Sequence, residues 1–461
     1  MNQFHPLKKR TWLIVAAMMV ILGHLGAFSV FGLDGTAQIA FTILGVAALL
    51  WITEAIPLFV TSLLVLFLSL IWLHPQLKQG GIDVASSVFL SPFFSNVILL
   101  FLGGFVISSA LHKFQLDELI ARAILRRVGT SLSSLLLAVM GITAFLSMWL
   151  SNTAASAMML ALILPIASRI PKENSTARRG LILGIPFAAN IGGLGTPIGS
   201  PPNAIALQYL TRSGEAPSFV HWMGIGLPAV AILILIAWKL LQMMFRVNGE
   251  LDSSDKKERP AIKNSAGAMV VIVVAVITIA AWMTTEFHGI ASGTVALFPV
   301  LIFFGAGLLN TRDFRSLSWD VLFVMGGGLC LGAAMTHSGL ADWVIAQLPV
   351  DGVGLRILAI VVGIPAVVMS SVMSNTATAN LLLPIVAGMG LAPVAPTMIT
   401  IAFCCSLAMP LPISTPPNAM AFSSGELTTR DLISPGLILT VCGVALVFTL
   451  GWWWWDLLGI F

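Results

Sequence analysis

The chain reads as an all-α polytopic membrane protein of about eleven transmembrane helices plus two re-entrant hairpins, arranged as inverted repeats. Three observations predict this. The 461 residues are 58% hydrophobic and 9% charged, with a mean hydropathy of +0.99, whereas a typical soluble domain carries about 25% charged residues. The tripeptide Ser-Asn-Thr occurs twice in apolar surroundings, at Ser151-Asn152-Thr153 and Ser374-Asn375-Thr376. Each copy is followed by a helix-breaking stretch that ends in Pro-Pro-Asn, at Pro201-Pro202-Asn203 and Pro416-Pro417-Asn418. Polar interruptions at matching places in two halves mark a site built from broken helices.

Apolar runs at 11–32, 37–56, 58–73, 96–113, 180–209, 220–245, 267–286, 290–309, 319–338, 396–422 and 433–458 are the predicted spans. Two further stretches, 131–168 and 355–388, each hold a Ser-Asn-Thr and a downstream proline, Pro165 or Pro384. Each is long for one span and its halves look short for two, which suits a hairpin that dips to mid-membrane and returns. Lys8, Lys9 and Arg10 before the first run resemble a signal peptide, but no small-residue cleavage site follows, so the run reads as a retained span.

The basic residues test this count. With a cytoplasmic N-terminus, Arg122, Arg126, Arg127, Arg169, Lys172, Arg178 and Arg179 fall inside. So do Arg246, Lys256, Lys257, Arg259, Lys263, Arg312, Arg315 and Arg430, as the positive-inside rule requires. Outer loops take Asp34, Asp83, Glu215, Asp342 and Asp351, with Lys78, Arg212 and Arg356. One hairpin then opens inward and the other outward. The tripeptides stand 223 residues apart (151 to 374), as do Gly103-Gly104 and Gly326-Gly327 (103 to 326). Residues 248–265 form a hydrophilic stretch between the halves, read as a cytoplasmic linker. The expected division is 1–130 and 267–354 as scaffold helices, 131–247 and 355–461 as transport elements, and 248–266 as the linker.

Ser, Asn and Thr cap free backbone N–H groups, so each tripeptide should open a half-helix whose positive end faces mid-membrane. Freed carbonyls with the Asn and Ser oxygens form a hard oxygen cage suited to Na⁺. The breaks from Gly192 to Asn203 and from Pro410 to Asn418 add glycine, which lets backbone approach closely, and proline, which frees a carbonyl. No Lys, Arg, Asp, Glu or His lies in these four motifs. Partial charges alone neutralise a dianion poorly in low dielectric. Co-bound Na⁺ would supply the missing charge, whereas a proton-coupled carrier usually shows an intramembrane carboxylate or histidine relay.

The doubled Ser-Asn-Thr, the doubled Ser/Thr-Pro-Pro-Asn and Thr53-Glu54-Ala55-Ile56-Pro57 together resemble the divalent anion/sodium symporter family of di- and tricarboxylate transporters. The resemblance implies a homodimer of elevator carriers with scaffold and transport domains, in the inner (cytoplasmic) membrane. It implies Na⁺-coupled uptake of succinate, malate or fumarate, with Na⁺-independent exchange of dicarboxylate or citrate, or sulfate symport, as alternatives. The partners implied are a small dicarboxylate, at least two Na⁺ and the lipid bilayer, with no nucleic acid. Carried over by motif, one sodium site uses Ser147, Ser151, Asn152 and the Gly199 backbone. The other uses Ser370, Ser374, Asn375 and the backbone at Met373 and Ser414. Substrate would meet Asn152, Thr153, Ser200 and Pro201 from one half, and Asn375, Thr376, Thr415 and Pro416 from the other. Gly199 stands where the second break has Ser414, which leaves their equivalence open.

Other features read as structural. Cys330, Cys404, Cys405 and Cys442 lie in apolar runs without metal-ligand spacing, as small buried hydrophobes do. Glu54 is expected to cap a helix, and His112 and His337 to be interfacial without a carboxylate at helical spacing. Trp452, Trp453, Trp454 and Trp455 suggest an interfacial aromatic anchor. Gly326-Gly327-Gly328 suggests close helix packing. No Walker-type phosphate loop is present, which argues against ATP as the energy source. No nucleophile–base pair or metal cluster marks an enzyme, and an ion channel lined by the broken helices is the remaining class.

Overall fold

The computed structural model describes residues 6–33, 35–171, 174–250, 265–347, 354–389 and 393–460. Asp34, Lys172, Asp351 and the linker residues 251–264, with Lys256, Lys257, Arg259 and Lys263, lie outside them. Among the described residues there are helices and no β-strand, apart from one isolated bridge between Ser131 and Glu250. Among the described residues, eight helical segments are long and apolar enough to cross a membrane: Gly35–Thr53, Leu58–Gln79, Ser87–Lys113, Phe219–Met244, Ala266–Met283, Trp319–His337, Leu355–Val372 and Thr429–Leu457.

Several boundaries differ from the predicted ones for local reasons. The first helix is Pro6–His24, and the chain then turns through left-handed Gly26 (φ 80°) into a short 3-10 helix, Ala27–Phe31. Leu355–Val372, the first arm of the second hairpin, has 18 residues and is not short. The last helix starts early, at Thr429, because Thr428 and Asp431 close a reciprocal capping box, which satisfies two helix-start donors at once. The predicted spans 180–209 and 396–422 are each two helices around a break, Ser175–Gly192 with Pro201–Ser213 and Ala395–Ser406 with Pro416–Ser423.

Both hairpins form. Leu132–Ser147 returns through Ser151 into Asn152–Ala167, and Leu355–Val372 returns through Ser374 into Asn375–Gly388. Each returning arm packs against the Pro-Pro helix of the other repeat: Asn152–Ala167 on Pro416–Ser423, and Asn375–Gly388 on Pro201–Ser213. That exchange is reciprocal, as contacts across a two-fold axis are.

The glycine-rich helix Trp319–His337 packs as expected. A Cβ on Gly327 would meet Ser62, one on Gly328 would fall 1.8 Å from Asn380 Oδ1, and one on Gly332 would fall 2.0 Å from the Tyr209 hydroxyl. Asn380 Nδ2 donates to the Val324 carbonyl at 2.7 Å, and the Tyr209 hydroxyl donates to that of Gly328 at 3.2 Å. Polar knobs from the second hairpin and from the first broken helix thus fill glycine holes in one helix.

The tryptophan run corrects its forecast. Trp452 and Trp455, three residues apart on one helical face, are buried, with Trp452 Nε1 donating to Thr400 Oγ1 at 3.1 Å. Trp454 Nε1 donates to the Gly224 carbonyl at 2.8 Å, which leaves Trp453, 61% exposed, as the outward ring. His112 does have a carboxylate partner. Gln115, in the left-handed region at φ 56°, turns the chain so that Asp117 Oδ2 reaches His112 Nδ1 at 3.1 Å. Glu54 ends Gly35–Thr53 through its own left-handed backbone (φ 46°), with its side chain exposed rather than capping. Cys330, Cys404 and Cys405 are buried thiols, and Cys442 is half-buried.

Gly328→Ala should lower stability by about 1–3 kcal/mol, the usual cost of overpacking, because the Asn380 amide must leave its hole. Gly141→Ala, where an added Cβ meets nothing within 4 Å, should leave the melting temperature unchanged or raise it. Melting curves of both variants in detergent check this pair.

Candidate substrate and cation site

Hydrogen bonds link each hairpin tip to the broken helix of its own repeat and the two breaks to each other, and each repeat builds its part in the same way. In the first hairpin, Ser147 Oγ lies 2.6 Å from Asn152 Oδ1 and 2.8 Å from the Ala189 carbonyl oxygen. In the second, Ser370 Oγ lies 2.7 Å from Asn375 Oδ1 and 2.8 Å from the Cys405 carbonyl oxygen. A hydroxyl has one proton to donate. Each cluster therefore gathers three oxygens around a single proton. Neutral oxygens in surplus of donors are the right chemistry for an alkali ion.

Glycine makes room for the first cluster. A Cβ on Gly193 would lie 3.0 Å from both terminal atoms of the Asn152 amide and 3.0 Å from the Gly199 carbonyl oxygen. Asn152, Ser147 and the Gly199 backbone are therefore neighbours, as the motif carry-over expects. Ser151 instead spends its hydroxyl as an N-cap, accepting from Ala154 N at 3.2 Å. Ser374 occupies the same position without a side-chain cap bond. Among the described residues no cluster of His, Cys, Asp and Glu suits a metal ion, so any cation held here relies on uncharged oxygens.

The doubt over Gly199 and Ser414 resolves into an exchange of roles. Thr196 Oγ1 donates to the Met148 carbonyl at 2.5 Å. Ser414 Oγ donates to the Ser371 carbonyl at 2.7 Å, and Ser371 follows Met148 by the same 223 residues that separate the tripeptides. Both repeats anchor the hairpin tip to the break with one hydroxyl, but the hydroxyl sits on different residues. Met373 is buried beside this second tip.

The Pro-Pro-Asn asparagines hold the breaks themselves. Asn203 Nδ2 donates to the Gly193 and Thr196 carbonyls at 2.8 and 2.9 Å. Asn418 Nδ2 donates to those of Met409 and Leu411, both at 2.9 Å. Each asparagine pins two carbonyls that the break removes from helical pairing, which matters because unpaired backbone groups are costly inside a membrane.

The two breaks also hold one another. Asn190 Nδ2 donates to Thr415 Oγ1 at 3.1 Å, and Ser200 Oγ pairs with Ser406 Oγ at 2.9 Å. Ser406 stands in the second repeat where Asn190 stands in the first, and Thr415 where Ser200 stands. Of the substrate residues named from sequence, Ser200 and Thr415 are thus buried at the crossing of the repeats. Asn152, Thr376, Asn375 and Pro201 are half-buried, and Thr153 and Pro416 are exposed. Sequence reasoning missed Asn190, Ser406 and Thr196. For Asn190 and Ser406 the only signal was a polar residue in an apolar helix, and for Thr196 a hydroxyl within the first break.

The helix starts are not alike as anion sites. Prolines at the first two positions of Pro201–Ser213 and Pro416–Ser423 offer no N–H. The next amides are already used, Asn203 N by the Ser200 carbonyl and Asn418 N by Thr415 Oγ1. The hairpin starts keep theirs. Among the described hydrogen bonds, the amides of Asn152, Thr153, Asn375 and Thr376 serve no protein acceptor. An anion at this site would draw its backbone donors from the two Ser-Asn-Thr turns.

A sequence model of the citrate-transporter family (CitMHS) matches residues 48–395. The chain is 33% identical over 434 residues to the sodium-dependent dicarboxylate transporter SdcS of Staphylococcus saprophyticus, covering 86% of this chain and 82% of that one. The chain belongs to the citrate-transporter family, of the divalent anion/sodium symporter type. SdcS of Staphylococcus aureus is 34% identical over 439 residues, with the same coverage. Among solved structures, the Alcanivorax borkumensis YdaH transporter superposes with a TM-score of 0.56 at 13% identity, covering 80% of this chain and 88% of that one. That likeness concerns the fold. This family member is a multi-pass membrane transporter and not an enzyme.

The hydroxyl exchange gives a test. Thr196→Val and Ser414→Ala each leave one tip carbonyl unpaired and should each cost about 1–3 kcal/mol. Gly199→Ser should not compensate Thr196→Val, because its Cβ would fall 2.7 Å from the Gly193 carbonyl oxygen. Melting curves of the singles and the double variant read this directly.

Proposed function

We propose that this carrier moves a C4-dicarboxylate such as succinate, malate or fumarate into the cell together with Na⁺. The observation that carries the reading is the duplicated cluster of three oxygens and one proton beside each free hairpin start, with no formally charged side chain among them. The sodium-dependent dicarboxylate transporters named above support it. Each Na⁺ would rest on one cluster: Ser147, Asn152 and the Gly199 backbone in the first repeat, Ser370, Asn375 and the backbone at Met373 and Ser414 in the second. The dianion would lie between the two tips, on the amides and side chains of Asn152, Thr153, Asn375 and Thr376, near Ser200, Pro201, Thr415 and Pro416. Sodium binding comes first in this scheme, because the amide dipoles alone cannot offset two negative charges in low dielectric.

In the same reading, the hairpins and broken helices of 131–247 and 355–461 form the transport body, and 1–130 with 267–354 form the scaffold. The body moves as an elevator within a homodimer in the cytoplasmic membrane, with the N-terminus inside. The cross-repeat bonds at the breaks support a body that shifts as one piece.

Uptake of labelled succinate into proteoliposomes should need an inward Na⁺ gradient; equal uptake without sodium would defeat the coupling. Asn152→Asp and Asn375→Asp each set a carboxylate against the anion and should reduce uptake to near background while the protein still folds. Because no group at the site titrates near neutrality, the pH profile should follow the dianion fraction of the substrate. A profile that tracks a protein group would contradict the neutral site.

A further inference from the structure

A third duplicated motif lies outside the site. Ser213-Gly214-Glu215 follows the first Pro-Pro-Asn helix, and Ser424-Gly425-Glu426 follows the second. Both glycines take the left-handed conformation that ends the helix, at φ 79° and 77°, as helix-terminal glycines do. The turn aims each glutamate at the other repeat. Glu215 Oε2 accepts from Val394 N at 2.7 Å and Ala395 N at 2.9 Å, at the start of Ala395–Ser406. Glu426 meets Arg178 at 3.4 Å, near the start of Ser175–Gly192. Arg178 also donates to the Ile170 carbonyl at 3.0 Å, just past the end of the first hairpin.

We infer that Glu215 and Glu426 are positioning residues that couple the two half-sites, each tying the end of one repeat's Pro-Pro helix to the start of the other repeat's broken helix. Together with Asn190–Thr415 and Ser200–Ser406 they hold the broken helices at both ends and at the middle. The assembly then sets the spacing between the two oxygen clusters, and an ion that tightens one cluster shifts the linked broken helices and so pre-forms the other. The two clamps differ in strength. Glu215 uses two short charge-assisted bonds to backbone, whereas Glu426 is 37% exposed and reaches a guanidinium at 3.4–3.5 Å, a geometry that contributes little. Glu215 is therefore the dominant clamp.

The inference rests on sodium-coupled dicarboxylate transport as proposed above, and its test separates the two. Succinate uptake by full-length Glu215→Ala, Glu215→Gln and Glu426→Ala in proteoliposomes is measured against Na⁺ concentration, with hydrogen exchange of the segment containing Val394 and Ala395. Glu215→Ala should raise the half-saturating Na⁺ and the succinate KM by about tenfold, lower the Hill coefficient for Na⁺ towards unity, and change the maximal rate much less. Glu215→Gln keeps an acceptor oxygen and should restore most of the wild-type Na⁺ dependence. Glu426→Ala should shift the same quantities less than Glu215→Ala. Amides at 394–395 should exchange faster in Glu215→Ala than in Glu215→Gln. A Glu215→Ala carrier with wild-type Hill coefficient and half-saturation, or with unchanged exchange at 394–395, would overturn the inference. If the wild-type carrier ignores Na⁺, the coupling reading falls, and succinate KM with hydrogen exchange then decides on the clamp.

Discussion

An interrupted helix inside a membrane must find partners for the backbone groups it frees, because no bulk water is there to take them. The two hairpins and two broken helices interrupt the helical backbone and satisfy the interruptions with neutral side chains. Asn203 and Asn418 each hold two freed carbonyls, and Thr196 and Ser414 each hold one at a hairpin tip. What remains unspent is the material of the candidate site: three oxygens around one proton in each repeat, and the amides that open the two returning arms.

The division of labour between the motifs follows from proline. At the Pro-Pro helices, the missing N–H groups and the inward use of Asn203 N and Asn418 N leave a rigid frame with little to offer an anion. The hairpins have no proline at their starts, so they keep the donors. One element builds the frame, and the other keeps the donors that the proposed binding of an anion would use. The cross-repeat bonds of Asn190 and Ser200 then join both frames, which links the two hairpin turns through one hydrogen-bonded scaffold of neutral side chains.

Much of this was legible in the sequence. The Ser-Asn-Thr and Pro-Pro-Asn motifs announced themselves through identity and spacing, and the all-helical membrane fold through composition. Ser147 with Asn152 and Ser370 with Asn375 meet as the resemblance implied. The rest was hidden for physical reasons. The anchoring hydroxyl moves from Thr196 to Ser414 along the break, so an alignment pairs a serine with Gly199 and conceals the shared function. Asn190 is one amide in an apolar run, and only packing shows what it faces. The His112–Asp117 pair depends on a left-handed Gln115, a conformation that nothing in the residue type demands. Trp452 and Trp455 are buried because three-residue spacing turns them to one face, against the interfacial habit of tryptophan.

The proposed site borrows its positive potential from amides and alkali ions. Equilibrium binding of labelled succinate to the purified protein, in sodium and in choline, probes that most directly. Saturable binding in sodium that disappears in choline is the predicted result. Equal affinity in the two salts would mean that the protein alone neutralises the dianion, which contradicts a site that depends on sodium.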